Sequence, residues 1–437
     1  MRFSKYNVYE NVDKGLVIYN IRLGKYVNIF NEPDLSHVRQ LLSLEELPCD
    51  DNIVKALYSN GYVVASGTDE YNQTKNEILG LLEENKKFIC ITLYVTDNCN
   101  FRCVYCPQEH KPSVFSDESW EGLYKYLEKN VVSKKLEKIV IDFFGGEPLL
   151  RSKQIVSFLT KMKNLQKKYP DLKTRYNMTT NGYLLTPELY DKLAELGLKD
   201  FQITLDGFAK IHNQTRPLAD GGPTWDVIVK NLDYINTKDD DITIQFRSNI
   251  STINKDFTED FVKWVSKRYT NKKFEISLQP VSKINDNVDK KYVQNLESFK
   301  PIIDIQKKSG RSFKDNVNFL DKLGMACRFA ANYFTITTDA KIYKCEYTYF
   351  EEVYPVGYLS DDGDFIFNED YPLWTKDLEI EDCPNCIIYP LCAARYCIKN
   401  NVNGYYNHDK CMEMQEGIIK SIRTNIQKGT LSKYIQK

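Results

Sequence analysis

Apolar residues are patterned differently in three stretches of the 437-residue chain. In residues 1–85 two β-rich runs flank Leu23-Gly24-Lys25 and read as a hairpin over 15–30. Leu35, Val38, Leu41 and Leu42, then Val54, Leu57 and Tyr58, recur at helical spacing before a Gly61 stop and a short strand at 62–64. This predicts a small winged-helix-like module, joined to the next stretch by a polar helix over 71–87. From 86 to 300 the pattern alternates. Strands are predicted at 88–95, 138–144, 175–179, 201–205, 242–248 and 274–279, with helices at 120–132, 155–168, 187–196, 225–235 and 257–267. Six such repeats call for a parallel sheet with right-handed crossovers, an α/β fold curling into a partial (β/α)6 TIM-like barrel with its sites at the carboxyl ends of strands. The rest of the chain, 301–437, shows little long periodicity. Short strands around Ile336, Ile342 and Tyr343 sit among cysteines and tyrosines, so metal ligation is expected to hold this part more than a broad core.

Composition narrows the function. With 42% apolar and 27% charged residues the chain reads as soluble and globular. It has no run of 18 apolar residues, and its start lacks the apolar core of a secretory signal, so the expected address is the cytoplasm. The 59 basic residues against 60 acidic ones leave no electrostatic footprint for nucleic acid or for polybasic membrane docking. Twelve cysteines accompany only four histidines, which points to thiolate-ligated zinc or iron-sulfur clusters rather than disulfides. Cys49 and Cys90 stand apart and read as plain thiols.

Cys99, Cys103 and Cys106, spaced C-x3-C-x2-C, follow the first barrel strand. Three thiolates can hold three irons of a 4Fe-4S cube and leave the fourth open; a zinc site short of a ligand, or buried structural cysteines, is the alternative. Phe144-Gly145-Gly146-Glu147-Pro148 ends the second strand. Glycines there let backbone approach a ligand closely, and Glu147 offers an acceptor for an ammonium group. The third strand ends in Thr179-Thr180-Asn181-Gly182 and the fourth in Thr204-Leu205-Asp206-Gly207, each an ordinary turn taken alone but together lining one pocket. Arg216 and Arg247 are candidates for pairing with a carboxylate, although a solvated face is the preferred reading for each.

The cysteine triplet with Tyr105 before its third member resembles the signature of the radical S-adenosylmethionine (SAM) superfamily. By that resemblance Gly145, Gly146, Glu147 and Pro148 receive the SAM amino group, and Asn181 and Thr204 line its ribose and carboxylate. SAM then chelates the open iron, and cleavage gives a 5′-deoxyadenosyl radical that removes hydrogen from unactivated carbon. The later cysteines resemble the SPASM extension of this superfamily, which holds two auxiliary 4Fe-4S clusters. The resemblance assigns Cys327, Cys345 and Cys397 to the first and Cys383, Cys386, Cys392 and Cys411 to the second. Two departures stand out: Ala340 replaces the usual glycine five residues before the second cysteine, and four residues instead of three separate Cys392 from Cys397. A zinc ribbon from Cys383, Cys386, Cys392 and Cys411 is the alternative. Glu346, where sulfatase maturases place aspartate, is the candidate catalytic base or a structural carboxylate.

SPASM members mostly modify peptides or proteins, and the amino-terminal module is similar to those that capture a precursor's leader by β-strand addition. Residues 1–84 count 8 basic against 13 acidic side chains, which reads as a solvated acidic face or as suited to a leader with lysines. The expected function is therefore installation of a carbon-carbon or thioether cross-link in a precursor peptide, with flavodoxin or ferredoxin as electron donor. An anaerobic sulfatase-type maturase, or an iron-sulfur electron-transfer protein without SAM chemistry, is the alternative.

Overall fold

The computed structural model describes residues 1–271, 273–283, 285–294, 301–302, 304–305, 309, 332–345, 355–375, 380–392 and 408–427. The described residues form two compact units: Met1–Glu84 with those from Pro372 onward, and those from Asn85 to 309 with Asn332–Tyr371. The expected last stretch is thus divided. Its strands join the barrel, and its cysteine-rich tail joins the amino-terminal module.

In the first unit, β1 (Arg2–Phe3) pairs antiparallel with β5 (Val63–Val64), and β2 (Asn7–Val12), β3 (Gly15–Asn20) and β4 (Lys25–Ile29) form an antiparallel sheet in that order. The expected hairpin is β3–β4; β2 precedes it. All six residues of β3 are buried, because both faces of the sheet are covered. Leu16 and Ile18 meet Leu35, Val38 and Leu41 of α1 (Glu32–Leu41) and Val54 and Leu57 of α2 (Asn52–Ser59). Asp51 caps α2, accepting from the amides of Ile53 and Val54. Val17 and Tyr19, on the other face, meet Ile388, Leu391, Ile422 and Ile426. The carboxyl-terminal part, expected to be held by metal ligation more than by a broad core, also contributes apolar residues to a shared core. The helix His408–Gln427, unforeseen in the sequence, supplies its half of an apolar interface to β2 and β3. The polar connector forms as α3 (Glu70–Glu84).

In the second unit the six expected strands form as β6 (Phe88–Thr96), β7 (Lys138–Gly145), β8 (Lys173–Thr180), β9 (Leu198–Thr204), β10 (Thr243–Ile250) and β11 (Phe274–Pro280), each parallel to the next. Between them run α4 (Asp117–Ser133), α5 (Ser152–Lys168), α6 (Pro187–Glu195), α7 (Ala209–Thr215), α8 (Trp225–Asn236) and α9 (Thr258–Arg268). Ser116 and Thr186 cap α4 and α6. Ile139, Ile141 and Phe143 of β7 are fully buried, and Phe143 lies against Trp120 of α4 and Phe158 of α5. By strand alternation, Val140, Asp142 and Phe144 face the other way.

The barrel is partial. The outer edge of β6 bonds to β12 (Tyr333–Ile336) rather than to β11, and the sheet continues through antiparallel β13 (Lys341–Tyr343), β14 (Gly357–Leu359) and β15 (Phe365–Phe367). This extension satisfies the backbone groups that an open β6 edge would expose. In its first turn Ala340 adopts φ +59°, the left-handed conformation that glycine takes without cost. The departure from the glycine pattern noted in the sequence therefore falls where glycine has a physical purpose. Among the described residues no helix is long and apolar enough to cross a membrane.

Candidate active site

The cysteine loop leaves β6 at Thr96 and is held on two sides. On one side the β7 turn presses against it: Gly146 donates its amide to Thr96 O at 2.8 Å and Glu147 donates to Asn98 O at 2.9 Å. A Cβ on Gly145 would stand 2.3 Å from Thr96 O, and one on Gly146 would stand 2.1 Å from Asn98 O. Close approach is thus the reason for both glycines, but the partner is the chain's own cysteine loop. On the other side residues 215–219 are stitched to it: Arg102 donates to Pro217 O, Val104 to Thr215 O and Ala219 to Asn100 O at 2.8–3.0 Å.

Glu147 is fully buried. It accepts from the Leu149 amide at 3.0 Å and the Thr180 hydroxyl at 2.7 Å on one oxygen, and from the Asn181 amide at 2.7 Å on the other. Burial pushes its carboxyl up, and these donors oppose the shift. The side chain expected to receive an ammonium group also ties the β7 turn to the end of β8. Asn181 in turn donates to Asn100 Oδ1 at 2.8 Å and reaches Cys99 Sγ at 4.0 Å. Thr204, at the end of β9, is buried and pairs in register with Arg247.

The three thiols are electrostatic neighbours. Burial raises Cys99 to about 11 and Cys103 to about 12, with Arg216 opposing the shift in both. Cys106 is raised as well, again chiefly by burial. Among the described residues no three His, Cys, Asp or Glu side chains are grouped as ligands of a single ion would be.

Behind the loop lies a buried polar cluster that the sequence reading did not assemble. The Tyr105 hydroxyl donates to Asp206 Oδ2 and accepts from Arg216 Nη1 at 2.9 Å and from Asn249 Nδ2 at 3.1 Å. Asn249 gives its amide to Asp206 Oδ1 at 2.8 Å. The solvated-face reading of Arg216 is overturned: the residue is 7% exposed. Burial works against its charge, but Cys103, Tyr105 and Asp206 hold the guanidinium protonated. Arg247 instead bonds Asn249 Oδ1 at 2.9 Å. His212, also buried, accepts the Asp206 amide on Nδ1 at 3.3 Å and lies against the Trp225 ring. The signal was present in the sequence. His212 and Arg216 stand four residues apart, one helical turn, just beyond the Asp206-Gly207 strand end.

Arg216 Nε is buried without a hydrogen-bond partner among the described residues. A spare cationic donor beside three clustered thiols fits a bound anion such as a carboxylate. The site residues therefore suit a SAM-chelating cluster. Residues 93–265 match the model of the radical SAM superfamily.

The chain carries a radical SAM domain. It is 27% identical over 234 residues to the radical SAM cyclopropyl synthase TigE of Paramaledivibacter caminithermalis, covering 48% of this chain and 47% of that protein. It is 39% identical over 128 residues to the GTP 3′,8-cyclase of Aliarcobacter butzleri, covering 29% and 36%. The chain thus spans less than half the length of each of these two relatives. Among solved structures, Streptococcus suis SuiB bound to precursor peptide SuiA aligns with a TM-score of 0.52 at 12% identity, covering 91% of this chain and 96% of SuiB. That likeness extends the shared fold beyond the radical SAM domain to both units.

The carboxyl-terminal cysteines are placed in part. Cys383, Cys386, Cys392 and Cys411 lie together in the first unit: burial first, then the other three thiols, raises Cys383 to about 12. Cys411 sits on the helix His408–Gln427 and Cys392 ends the short helix Tyr389–Cys392. Cys345 follows β13 in the second unit. Cys327, Cys397 and Glu346 lie outside the described residues.

Proposed function

We propose that the protein is a SAM-cleaving radical enzyme that installs a carbon-carbon or thioether cross-link in a precursor peptide. The observation that carries the first half is the set of three neighbouring thiols beside a buried arginine with a spare donor, at the carboxyl ends of a partial barrel. Cys99, Cys103 and Cys106 would hold the 4Fe-4S cluster. SAM would lie against the strand ends carrying Gly145–Pro148, Asn181 and Thr204, with Arg216 facing its carboxylate. Bound to a reduced cluster, SAM supplies a carbon radical that takes hydrogen from an unactivated C–H bond. The chain's own tasks are to orient that group, to keep the strand-end turns rigid through Glu147 and Asp206, and to exclude water. Cys383, Cys386, Cys392 and Cys411 would hold one auxiliary cluster, and Cys327, Cys345 and Cys397 the other. Electrons would come from a flavodoxin or ferredoxin.

The peptide half rests on the amino-terminal sheet. Among the described residues β4 pairs with β3 alone, so its outer edge is open to strand addition. Over the face of the same sheet lies a cavity of about 790 Å³ lined by Tyr26, Asn28 and Phe30 of the β4 region, by Asn11 and Lys14, and by Ile426 of the helix His408–Gln427. SuiB, similar in fold, is a protein whose structure holds its precursor peptide.

The test is anaerobic turnover of the reconstituted protein with the short peptide encoded beside its gene. The expected result is 5′-deoxyadenosine together with a peptide lighter by two hydrogens, both abolished by Cys103→Ala. Asn28→Pro should weaken peptide binding at least tenfold and leave the iron content intact. Cross-linking unaffected by Asn28→Pro would end the leader-capture reading, and 5′-deoxyadenosine from the Cys103→Ala protein would end the whole proposal.

A further inference from the structure

Lys5, between β1 and β2, stands within the wall of the four-cysteine cluster of the first unit. Its Nζ donates to the carbonyl of Pro384 at 2.6 Å, and Pro384 lies between Cys383 and Cys386. The same ammonium sits 5.1 Å from the Tyr6 ring centre and 5.6 Å from that of Tyr71. Tyr71 packs on Tyr389 at 4.6 Å, and Tyr6, Tyr389, Ile78 and Cys383 share one buried cluster with Cys386 at its margin. The loop carrying two of the four thiols is thus fastened to the amino-terminal module by one cation and three aromatic rings. Lys5 is fixed from behind as well: its amide donates to Glu70 Oε2 at 3.1 Å, and Glu70 is buried.

We infer that Lys5 is a positioning residue for this auxiliary cluster, holding the Cys383–Cys386 loop and placing a positive charge that favours the cluster's reduced form. The inference rests on the reading that these four cysteines bind a 4Fe-4S cluster. The charge argument is direct. Reduction adds one negative charge to a cluster held by thiolates, and net charge and hydrogen bonding around the cluster set its potential. A cation bonded to the ligand loop stabilises the reduced form more than the oxidised one. The amino-terminal module therefore bears on the cluster as well as on the peptide. Deleting residues 1–85 would disturb both, and so could not isolate leader capture.

The experiment is a redox titration, followed by electron paramagnetic resonance, of the reconstituted full chain as wild type, Lys5→Met and Lys5→Arg. Cys386→Ala identifies which signal belongs to this cluster. Lys5→Met should make that signal harder to reduce, by up to about tenfold in the reduction equilibrium, or 59 mV for a one-electron couple. Lys5→Arg should stay near wild type, and the Cys99 cluster should not move. An unchanged midpoint in Lys5→Met at full iron content would overturn the inference. So would equal iron loss in Lys5→Met and Lys5→Arg, because the position and not the cation would then matter; iron loss in Lys5→Met alone would support it. If Cys386→Ala costs no iron, the cluster assignment itself fails, an outcome separate from any result at Lys5.

Discussion

Arg216 donates to the Tyr105 hydroxyl at 2.9 Å although 111 residues separate them in the chain. This contact joins the end of α7 to the cysteine loop, and Asp206 completes it by accepting from the same hydroxyl. A buried cation and a buried carboxylate share one phenol, so each offsets the desolvation of the other.

Removing the cation should therefore be costly. Arg216→Met takes from buried Asp206 its main charge partner, leaving only the weaker influence of Arg247, and is expected to destabilise the apoprotein by about 3–5 kcal/mol. Arg216→Lys restores the charge but not the planar fork, and should recover part of the loss. Urea unfolding under anaerobic conditions measures both; a loss below about 1 kcal/mol in Arg216→Met would mean that Asp206 is solvated.

Gly146 is under steric compulsion. An added methyl would lie 2.1 Å from Asn98 O, so Gly146→Ala must push the β7 turn off the cysteine loop. We expect a destabilisation of about 1–3 kcal/mol and reduced iron retention after reconstitution. Gly417, whose added Cβ would meet nothing, serves as the control: Gly417→Ala should retain full iron.

His212 gives the protein a pH dependence. Burial, then the nearby Arg216 charge, holds its pKa well below the usual 6.5. The unfolded chain thus binds the proton more readily, and the stability from a neutral His212 is complete above pH 6.5 and falls as pH drops below it. Between pH 7.5 and 5.5 the His212 contribution should fall, by on the order of 1 kcal/mol. His212→Gln should flatten that part of the profile, read as urea midpoints; an identical slope in the variant would show that His212 does not titrate.

Ala340 carries the opposite opportunity. Its φ of +59° costs an alanine about 1–2 kcal/mol that glycine does not bear. Ala340→Gly should raise the thermal midpoint, less the entropy glycine returns to the unfolded chain. Calorimetry of the two proteins decides it, and a lowered midpoint would contradict the left-handed turn.

The barrel and the cysteine loop were legible in the chain because both are local. Strand and helix periods predict β6 to β11 and the helices between them except the short α7, and the C-x3-C-x2-C spacing marks the loop after β6. The glycines at 145 and 146 announce a close approach, though not what is approached. What no local pattern contains is which distant side chains share a desolvated site. Arg216 read as a solvated arginine because its burial depends on Tyr105 and Asp206, which reach it only when β9, α7 and the cysteine loop are assembled. The helix His408–Gln427 was missed for a related reason: its apolar residues make sense only against β2 and β3, hundreds of residues earlier. Lys5 and Pro384 lie 379 residues apart, and a hydrogen bond of that kind is settled by chain topology. Residue pattern determined the elements and the chemistry available at their ends. Tertiary packing decided which charges lost their water, and therefore which had to pair.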